Sequence, residues 1–178
     1  MNSSKSDNQL YSYDEIVGQI KAISLKINQK IAGFEEVVFC PLMTGALVFS
    51  GHLFPQISHP RITLSYLHFS RYKNDQGSLN GDWLFKPSRD EVLNKHILII
   101  DDILDEGVTL NEAKKCLLAL GAKTVTTAVL FYKPNQKSNF SADFIGLSLP
   151  NEYVYGFGLD ASGLFRNLPN LYIKNVKK

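Results

Sequence analysis

A continuous aliphatic run in the middle of the chain, residues 97–100 (Ile-Leu-Ile-Ile), constrains the fold more than any other feature of the sequence. Such a run is expected of a central parallel strand that is covered on both faces. Residues 109–120 then place apolar side chains at helical spacing, and Gly121 favours a helix end. Residues 124–132 are rich in β-forming residues. Strand, helix and strand in this order predict an α/β fold, with helices flanking a mostly parallel sheet.

The N-terminal part of the chain shows the same alternation. Ser12 can cap a helix whose isoleucines recur at near-helical spacing and which ends before Gly33. Residues 37–40 form a short apolar run that suits a buried strand. Residues 46–54 indicate a second helix, and residues 62–69 indicate another strand.

A long polar segment, residues 71–89, interrupts this alternation. It carries Gly77, Gly81 and Pro87 and has few apolar anchors. Connections of this length in compact domains are usually functional lids or disordered segments. We therefore predict a mobile loop over residues 71–89.

The composition is that of an ordinary globular protein. The chain has 178 residues, of which 44% are hydrophobic and 20% charged, so we predict one domain over residues 1–178. A formal net charge of +2 is too small to indicate a nucleic-acid or membrane surface. The polar N-terminus, the lack of a long apolar run and two cysteines that suit burial in a reducing compartment predict a cytoplasmic protein.

The candidate chemistry follows directly after the aliphatic run. Asp101 and Asp102 stand where the predicted strand emerges at its carboxyl end, the place where open α/β sheets bind ligands. Asp105 follows, and Gly107 and Thr109 open the next helix. A glycine and a helix N-terminus can direct backbone N–H groups at an anion. The segment therefore offers acceptors for hydroxyls or a metal beside a phosphate cradle, as ribose 5-phosphate requires.

A simpler interpretation exists for parts of this segment. An acid pair at a strand end can be no more than exposed helix-capping residues, and for Asp101 and Asp102 alone we would prefer that interpretation. The complete order of strand, acid pair, acid, glycine and threonine over residues 97–110 is much more specific.

Residues 97–110 resemble the 5-phosphoribosyl-1-pyrophosphate (PRPP) binding motif of type I phosphoribosyltransferases. The resemblance extends over roughly residues 37–173 and is greatest to hypoxanthine-guanine phosphoribosyltransferases. Four further segments carry it: Met43-Thr44-Gly45, Ser70-Arg71-Tyr72, Lys133-Pro134, and residues 149–160 with Phe165-Arg166. It implies the type I phosphoribosyltransferase fold, with a small hood formed mainly by residues 134–178 together with N-terminal residues.

The resemblance also implies an activity: Mg²⁺-dependent purine salvage, in which PRPP and hypoxanthine or guanine give the nucleotide and pyrophosphate. Asp105 would be the general acid or base near N7 of the purine. PRPP would be bound by Asp101, Asp102, Asp105, Glu106, Gly107, Val108, Thr109, Met43, Thr44, Gly45, Tyr72 and Arg166. The base would be bound by Lys133, Tyr153 and Val154, and Mg²⁺ by Asp102 and Asp160.

Three residues depart from the family pattern. Glu106 stands where threonine or serine is usual, Val108 offers no side-chain donor, and Thr44 stands where glycine is common. A carboxylate next to a bound phosphate would repel it, so we expect the Glu106 side chain to point outward.

Two other functions stay open at this point. One is a nucleotide-sensing, RNA-binding regulator with the same fold, and the other is a transferase for another base. Asp105 favours a 6-oxopurine enzyme, because the regulators and relatives with other substrates tend to lack an acid there. The expected partners are small-molecule substrates and further copies of the chain in a dimer or tetramer, with no nucleic acid and no membrane.

Overall fold

The computed structural model describes residues 8–73, 79–134 and 140–174, with the backbone alone for residues 71–73 and 79–80. A seven-stranded sheet forms its centre. The strand order is β5 (Leu79–Phe85), β4 (Leu67–Lys73), β2 (Val37–Met43), β6 (His96–Leu104), β7 (Thr124–Tyr132) and β8 (Phe144–Ser148), with β3 (Ile62–Leu64) also paired to β2. The β4–β5 pair is antiparallel and the other pairs are parallel. The predicted α/β fold with a mostly parallel sheet is confirmed.

The helices are α1 (Tyr13–Ile31), α2 (Leu47–Leu53), α3 (Arg89–Val92) and α4 (Val108–Ala119), and a short 3₁₀ turn, Phe54–Gln56, follows α2. The central strand β6 shows why the sheet needs helices on both faces. Leu98 and Ile100 pack into the hydrophobic layer beneath α1 and α2. Ile97 and Ile99 point the other way, into the layer beneath α4. Residues 97–100 therefore form a central strand covered on both faces, as predicted.

The first helix follows the sequence pattern closely. Five isoleucines of α1 are buried against the sheet: Ile16, Ile20, Ile23, Ile27 and Ile31. The Ser12 side chain accepts a hydrogen bond from the Glu15 N–H, and the Ser12 N–H donates to the Glu15 carboxylate (2.8 Å). This reciprocal capping box fixes the start of the helix. The helix ends before Gly33, as predicted.

The predicted loop over residues 71–89 was wrong in part, because β4 and β5 form an antiparallel hairpin across it. A glycine such as Gly81 is typical of loops, but a Cβ at this position would overlap the Phe69 ring, so the glycine permits close pairing of the two strands. Phe69 also packs on Trp83, with ring centroids 4.8 Å apart. Residues 74–78 of the predicted loop lie outside the described parts of the chain.

A second, smaller sheet joins the two ends of the chain, and we call it and the loop of residues 156–170 the hood. Its order is β1 (Asn8–Tyr11), β10 (Leu171–Ile173) and β9 (Val154–Tyr155), with both pairs antiparallel. The structure differs from the predicted hood boundary in one strand, since β8 belongs to the central sheet. Among the described residues, no helix combines the length and the apolarity needed to cross a membrane.

Candidate active site

A cavity of about 670 Å³ opens where β2, β6 and β7 reach their carboxyl ends, and the hood forms its opposite wall. Parallel strands direct these ends to one edge of the sheet, which is why residues from distant segments meet there. Most of the predicted site residues line this cavity: Met43, Thr44, Gly45, Asp101, Asp102, Asp105, Glu106, Gly107, Thr109, Lys133, Tyr153, Val154, Asp160 and Arg166. Val108, which was also predicted, lies outside this lining, and the side chain of Tyr72 lies outside the described part of the chain.

The acid pair lies at the floor of the cavity. Asp101 is buried, and its Oδ1 accepts a hydrogen bond from the Asp102 N–H at 3.0 Å. Burial, and then the charge of Asp102, raise the pKa of the Asp101 carboxyl well above its usual range. Burial also raises the pKa of Asp102, to about 6. Two adjacent carboxylates with little solvation favour ligands that supply hydroxyl donors or a cation.

Gly45 brings the loop after β2 against the acid pair. A Cβ at Gly45 would overlap the Asp102 carboxylate, so this loop and β6 can approach only because the residue is glycine. The Met43–Thr44 peptide bond that precedes it is cis. Gly158 of the hood, with φ of 98°, meets the same loop, and a Cβ there would lie 2.8 Å from the Gly45 carbonyl oxygen. The loop after β2, the acid pair of β6 and the hood therefore meet at Gly45.

The loop between β6 and α4 has the geometry of an anion cradle. Gly107 precedes the helix with φ of 76°, in the left-handed region, and Val108 begins α4. Gly107, Thr109 and Leu110 line the cavity, so the N-terminus of α4 borders it, and the helix dipole favours negative charge there. The Val108 side chain is 44% exposed and lies outside the cavity lining. Glu106 is exposed at the cavity rim, and the direction of its carboxylate stays a prediction.

Asp105 and Lys133 meet at another part of the cavity. Lys133 Nζ lies 3.8 Å from Asp105 Oδ2, and the lysine side chain is only 15% exposed. The Lys133 N–H donates to the Leu104 carbonyl at 2.9 Å, which holds the end of β7 against the end of β6. An acid and an ammonium group are thus held side by side in a partly buried position.

The hood contributes a hydrogen-bonded unit built on Asp160. Arg166 Nη2 donates to Asp160 Oδ1 at 2.6 Å, and Nη1 donates to the Gly158 carbonyl at 2.5 Å. The Gly163 N–H donates to Asp160 Oδ2 at 2.7 Å, and the Tyr153 hydroxyl donates to the Asp160 carbonyl at 3.1 Å. Each of Tyr153, Asp160 and Arg166 was predicted separately, and the structure links all three.

Comparison with known proteins agrees with this geometry. The family model of the phosphoribosyl transferase domain matches residues 6–162. The chain belongs to this family.

Individual relatives extend the agreement over nearly the whole chain. A hypoxanthine-guanine phosphoribosyltransferase of Aquifex aeolicus is 29% identical over 165 residues, covering 92% of both chains. One from Staphylococcus epidermidis is 31% identical over 137 residues, covering 76% of this chain and 75% of its own. The crystal structure of a hypoxanthine phosphoribosyltransferase from Staphylococcus aureus superposes with a TM-score of 0.85 at 26% identity, covering 94% of this chain and 91% of that one.

The sequence did not predict every residue at the site of this phosphoribosyltransferase. His68, Phe69 and Ser70 of β4 also line the cavity. His68 is brought there because it pairs with Met43 across the β2–β4 ladder. Ser70 adjoins the segment noted from the family resemblance, but nothing in the residue pattern shows which strand lies beside β2. The backbone of Tyr72 lies in β4 opposite Asn80, and its side chain lies outside the described part of the chain.

Proposed function

We propose that this phosphoribosyltransferase transfers the 5-phosphoribosyl group of PRPP to a 6-oxopurine, hypoxanthine or guanine, and releases pyrophosphate. The observation that carries the proposal is the Asp105–Lys133 pair, which lies in one cavity with the acid pair and the N-terminus of α4. Family membership supports PRPP as the donor. The relatives named for hypoxanthine and guanine support the choice of base.

Ribose 5-phosphate fits the floor and the β6–α4 loop. Asp101 and Asp102 would accept hydrogen bonds from the vicinal ribose hydroxyls. The 5-phosphate would be held by backbone N–H groups over residues 105–109 and by the hydroxyl of Thr109. A helix N-terminus with free N–H groups is a common phosphate site, and Gly107 supplies the turn that exposes these groups.

Pyrophosphate fits the side of the cavity between the Met43–Thr44–Gly45 loop and Arg166. The leaving group is a polyanion, so its departure is favoured by donors and cations that are already in place. Backbone groups of the loop and the guanidinium of Arg166 are the candidates, and the Asp160 carboxylate orients that guanidinium.

The purine would occupy the part of the cavity bordered by Lys133, Tyr153 and Val154. Lys133 would donate to the 6-oxo group, Tyr153 would stack on the ring, and Val154 would offer its carbonyl. Tyr153 is 47% exposed, and Lys174 Nζ lies 5.3 Å from its ring centroid. A base that stacks on this ring would therefore replace water on an aromatic surface.

The reaction also requires a proton to move. N9 of the base forms a bond to the anomeric carbon of PRPP while the bond from that carbon to pyrophosphate breaks, and the base must lose one proton. Asp105 is proposed to accept this proton at N7. The neighbouring ammonium of Lys133 can stabilise the carboxylate before transfer, because the two groups lie within 4 Å of each other.

The donor set of the cavity fits Mg²⁺, which prefers carboxylate oxygens and usually shares its coordination with waters and substrate phosphates. Asp102 and Asp160 would supply these oxygens. Burial that raises the pKa of Asp102 to about 6 also means that a nearby cation would favour its ionised form. When bound with PRPP, Mg²⁺ would neutralise part of the charge on the pyrophosphate.

Two features of the wider molecule belong to the same proposal. The β4–β5 hairpin, which carries Tyr72, would close over the reacting centre and exclude water.

A cytoplasmic location suits the free thiols of Cys40 and Cys116, since reducing compartments keep cysteines unpaired.

The first prediction concerns the choice of base. Lys133 can donate to a 6-oxo group but finds no acceptor in the 6-amino group of adenine, and an unpaired buried polar group costs ~1–3 kcal/mol. Adenine should therefore have a kcat/KM lower than that of hypoxanthine by roughly one to two decades or more. The measurement is pyrophosphate release with PRPP and Mg²⁺ for hypoxanthine, guanine, xanthine, adenine, uracil and orotate.

The variant Lys133→Met should reduce the difference in kcat/KM between hypoxanthine and adenine. Lys115→Met is the control, because Lys115 is an exposed lysine of α4 that pairs with Glu112. Equal kcat/KM values for adenine and hypoxanthine in the wild-type protein would refute the role of Lys133. Lack of turnover with every base would refute the proposed activity and favour a nucleotide-binding regulator.

A further inference from the structure

The hydroxyl of Tyr153 has a use that its proposed contact with the base does not explain. Tyr153 lines the catalytic cavity, where its ring is proposed to stack on the purine. Stacking needs only the ring, which a phenylalanine would supply as well. The hydroxyl instead donates to the Asp160 carbonyl at 3.1 Å. A residue of the proposed base site is therefore bonded directly to the hood loop.

Asp160 connects this hydroxyl to Arg166. Its carbonyl serves Tyr153, while its Oδ1 accepts from Arg166 Nη2 at 2.6 Å. Its Oδ2 accepts from the Gly163 N–H at 2.7 Å. Three hydrogen bonds thus meet at one residue, so a change in the position of its peptide group moves the guanidinium of Arg166 as well.

The loop that carries Asp160 and Arg166 depends on bonds of this kind. Ser162 and Phe165 have φ of 54° and 71°, a region that residues other than glycine seldom adopt. Backbone hydrogen bonds between Ala161 and Leu164, at 3.0 and 3.1 Å, close the turn between them. Strained conformations persist only where the surrounding contacts fix them. The position of the Arg166 guanidinium is therefore sensitive to each bond that Asp160 makes.

A stacked base would change the surroundings of the Tyr153 hydroxyl. Tyr153 is 47% exposed, so without a base on its ring water competes for the bond to the Asp160 carbonyl. A purine on the ring removes water from its face and restricts its rotation. A hydrogen bond is electrostatically stronger in less polar surroundings. Binding of the base should therefore strengthen the Tyr153–Asp160 bond.

We propose that the Tyr153 hydroxyl couples the base site to the pyrophosphate site. A purine on the Tyr153 ring tightens the bond to Asp160, and Asp160 then holds Arg166 in place for pyrophosphate. The coupling is reciprocal, so PRPP that orders Arg166 prepares the ring for the base by the same factor. Tyr153 thus acts as a positioning residue for the opposite end of the cavity. This inference rests on the proposed function, from which it takes the places of the purine and of pyrophosphate.

The test measures the coupling itself. Titration calorimetry gives the dissociation constant of PRPP with Mg²⁺ in the absence and presence of 9-deazahypoxanthine. This analogue has carbon in place of N9, so it can stack on the ring but forms no N-glycosidic bond. The ratio of the two constants is the coupling factor, which should be roughly fivefold or more in the wild-type protein. Tyr153→Phe keeps the ring and should lower this factor by about threefold or more, as the loss of one hydrogen bond allows.

Tyr11→Phe is the matched control. Tyr11 of β1 also donates its hydroxyl to a backbone carbonyl, that of Ser148 at 2.7 Å, and it lies outside the cavity lining. Tyr11→Phe should keep the coupling factor of the wild-type protein, and circular dichroism shows whether both variants are folded. If Tyr153 only stabilised the hood, its hydroxyl would affect both dissociation constants alike and leave their ratio unchanged.

The proposal is overturned if Tyr153→Phe keeps the coupling factor of the wild-type protein, or if the wild-type protein itself shows no coupling. An equal loss of coupling in Tyr11→Phe would also overturn it, because the effect would then reflect general loosening of the hood. Absence of PRPP binding in the wild-type protein would overturn the proposed function, and this inference with it. Tight PRPP binding with an unchanged coupling factor in Tyr153→Phe would overturn the inference alone.

Discussion

Asp105 and Lys133 reach the same part of the cavity from the ends of neighbouring strands. The sequence alone could identify Asp105, because it stands in a dense motif in which each residue has a recognisable chemical use. Lys133 has no such surroundings, and by itself a lysine after a strand predicts only an exposed charge. Its place beside Asp105 depends on the pairing of β6 with β7, in which Leu104 lies opposite Tyr132. The contact is therefore a property of the fold, and the family resemblance predicted only a separate role for each of the two residues.

The substitution Asp105→Asn tests the proton transfer. Asparagine keeps the size of the side chain and removes the base, so kcat should fall by ~10²–10⁴, the usual contribution of general acid–base catalysis. The affinity for PRPP should change little. The measurements are steady-state kinetics with hypoxanthine and calorimetry with PRPP and Mg²⁺. Glu112→Gln, on the exposed face of α4, is the control. Full activity of Asp105→Asn would contradict the assigned role.

Glu106 is the residue that departs most from the family pattern, and the outward direction of its carboxylate is still to be tested. A carboxylate within ~5 Å of a phosphate charge would repel it by about 3 kcal/mol at an effective dielectric near 20. If the side chain points outward, Glu106→Thr should tighten PRPP binding by tenfold or less, about 1.4 kcal/mol. PRPP affinity measured for both proteins at two salt concentrations checks this. A thousandfold gain would show that the carboxylate opposes the phosphate, and the regulator would become the better interpretation.

Among the secondary-structure elements, those that bury a regular apolar pattern could be predicted from the sequence. The isoleucine spacing of α1 and the residue composition of β7 each match one element with close bounds. The aliphatic run of residues 97–100 identifies β6, but the strand continues through the acid pair to Leu104. β5 could not be predicted in this way, because residues 79–85 (Leu-Asn-Gly-Asp-Trp-Leu-Phe) contain a glycine and two polar residues. They form a strand because their backbone pairs with β4. The glycine that argued against a strand is the residue that lets the Phe69 ring pack there.

The loop after β2 permits a sharp test of how its glycine supports the site. Gly45→Ala would place a methyl group on the Asp102 carboxylate, so either the loop or the acid must move. A displacement of about 1 Å at an active site can lower activity ~10²-fold, and we expect a loss of kcat/KM of this order. Gly18→Ala in α1 is the matched control, because a Cβ there meets nothing within 4 Å.

Gly18→Ala should stabilise the helix by about 0.5–1 kcal/mol and leave the kinetics unchanged. Thermal unfolding and steady-state kinetics of both variants check the pair of expectations. Wild-type kinetics in Gly45→Ala would show that the close approach of the loop to Asp102 is not required.

At the scale of the whole molecule, the hood brings residues from both ends of the chain together. β1 pairs with β10, and β10 pairs with β9, so Asn8 lies opposite Ile173 and Ile173 lies opposite Val154. Strands this short and this far apart in the sequence have no recognisable residue pattern, because each of them packs its apolar side chains only against the others. The hood was therefore predicted only from the family resemblance, and no residue pattern could assign β8 to the central sheet.

Asn170 holds this long-range arrangement together. Its Oδ1 accepts a hydrogen bond from the Tyr13 N–H at 2.8 Å, and its Nδ2 donates to Gln9 Oε1 at 3.0 Å and to the Tyr172 hydroxyl at 3.2 Å. Tyr172 lies opposite Tyr155 in the β10–β9 ladder, next to the residues proposed to bind the base. Asn170 thus connects the start of α1 to the base-binding strand.

The last prediction follows from this connection. Asn170→Ala should raise the KM for hypoxanthine by roughly five- to tenfold, equivalent to about 1–1.4 kcal/mol, because the loss of these hydrogen bonds loosens β9. PRPP binding should change less, since the residues proposed for it are held mainly by β2, β6 and α4. Asn28→Ala is the matched control: Asn28 also joins two segments, donating to the Gln56 carbonyl and accepting from the Ser58 N–H, both at 2.9 Å. Both variants should lose similar thermal stability, and only Asn170→Ala should lose affinity for the base. If the two variants shift the KM for hypoxanthine equally, the effect reflects general stability and the hood has no specific part in holding the purine.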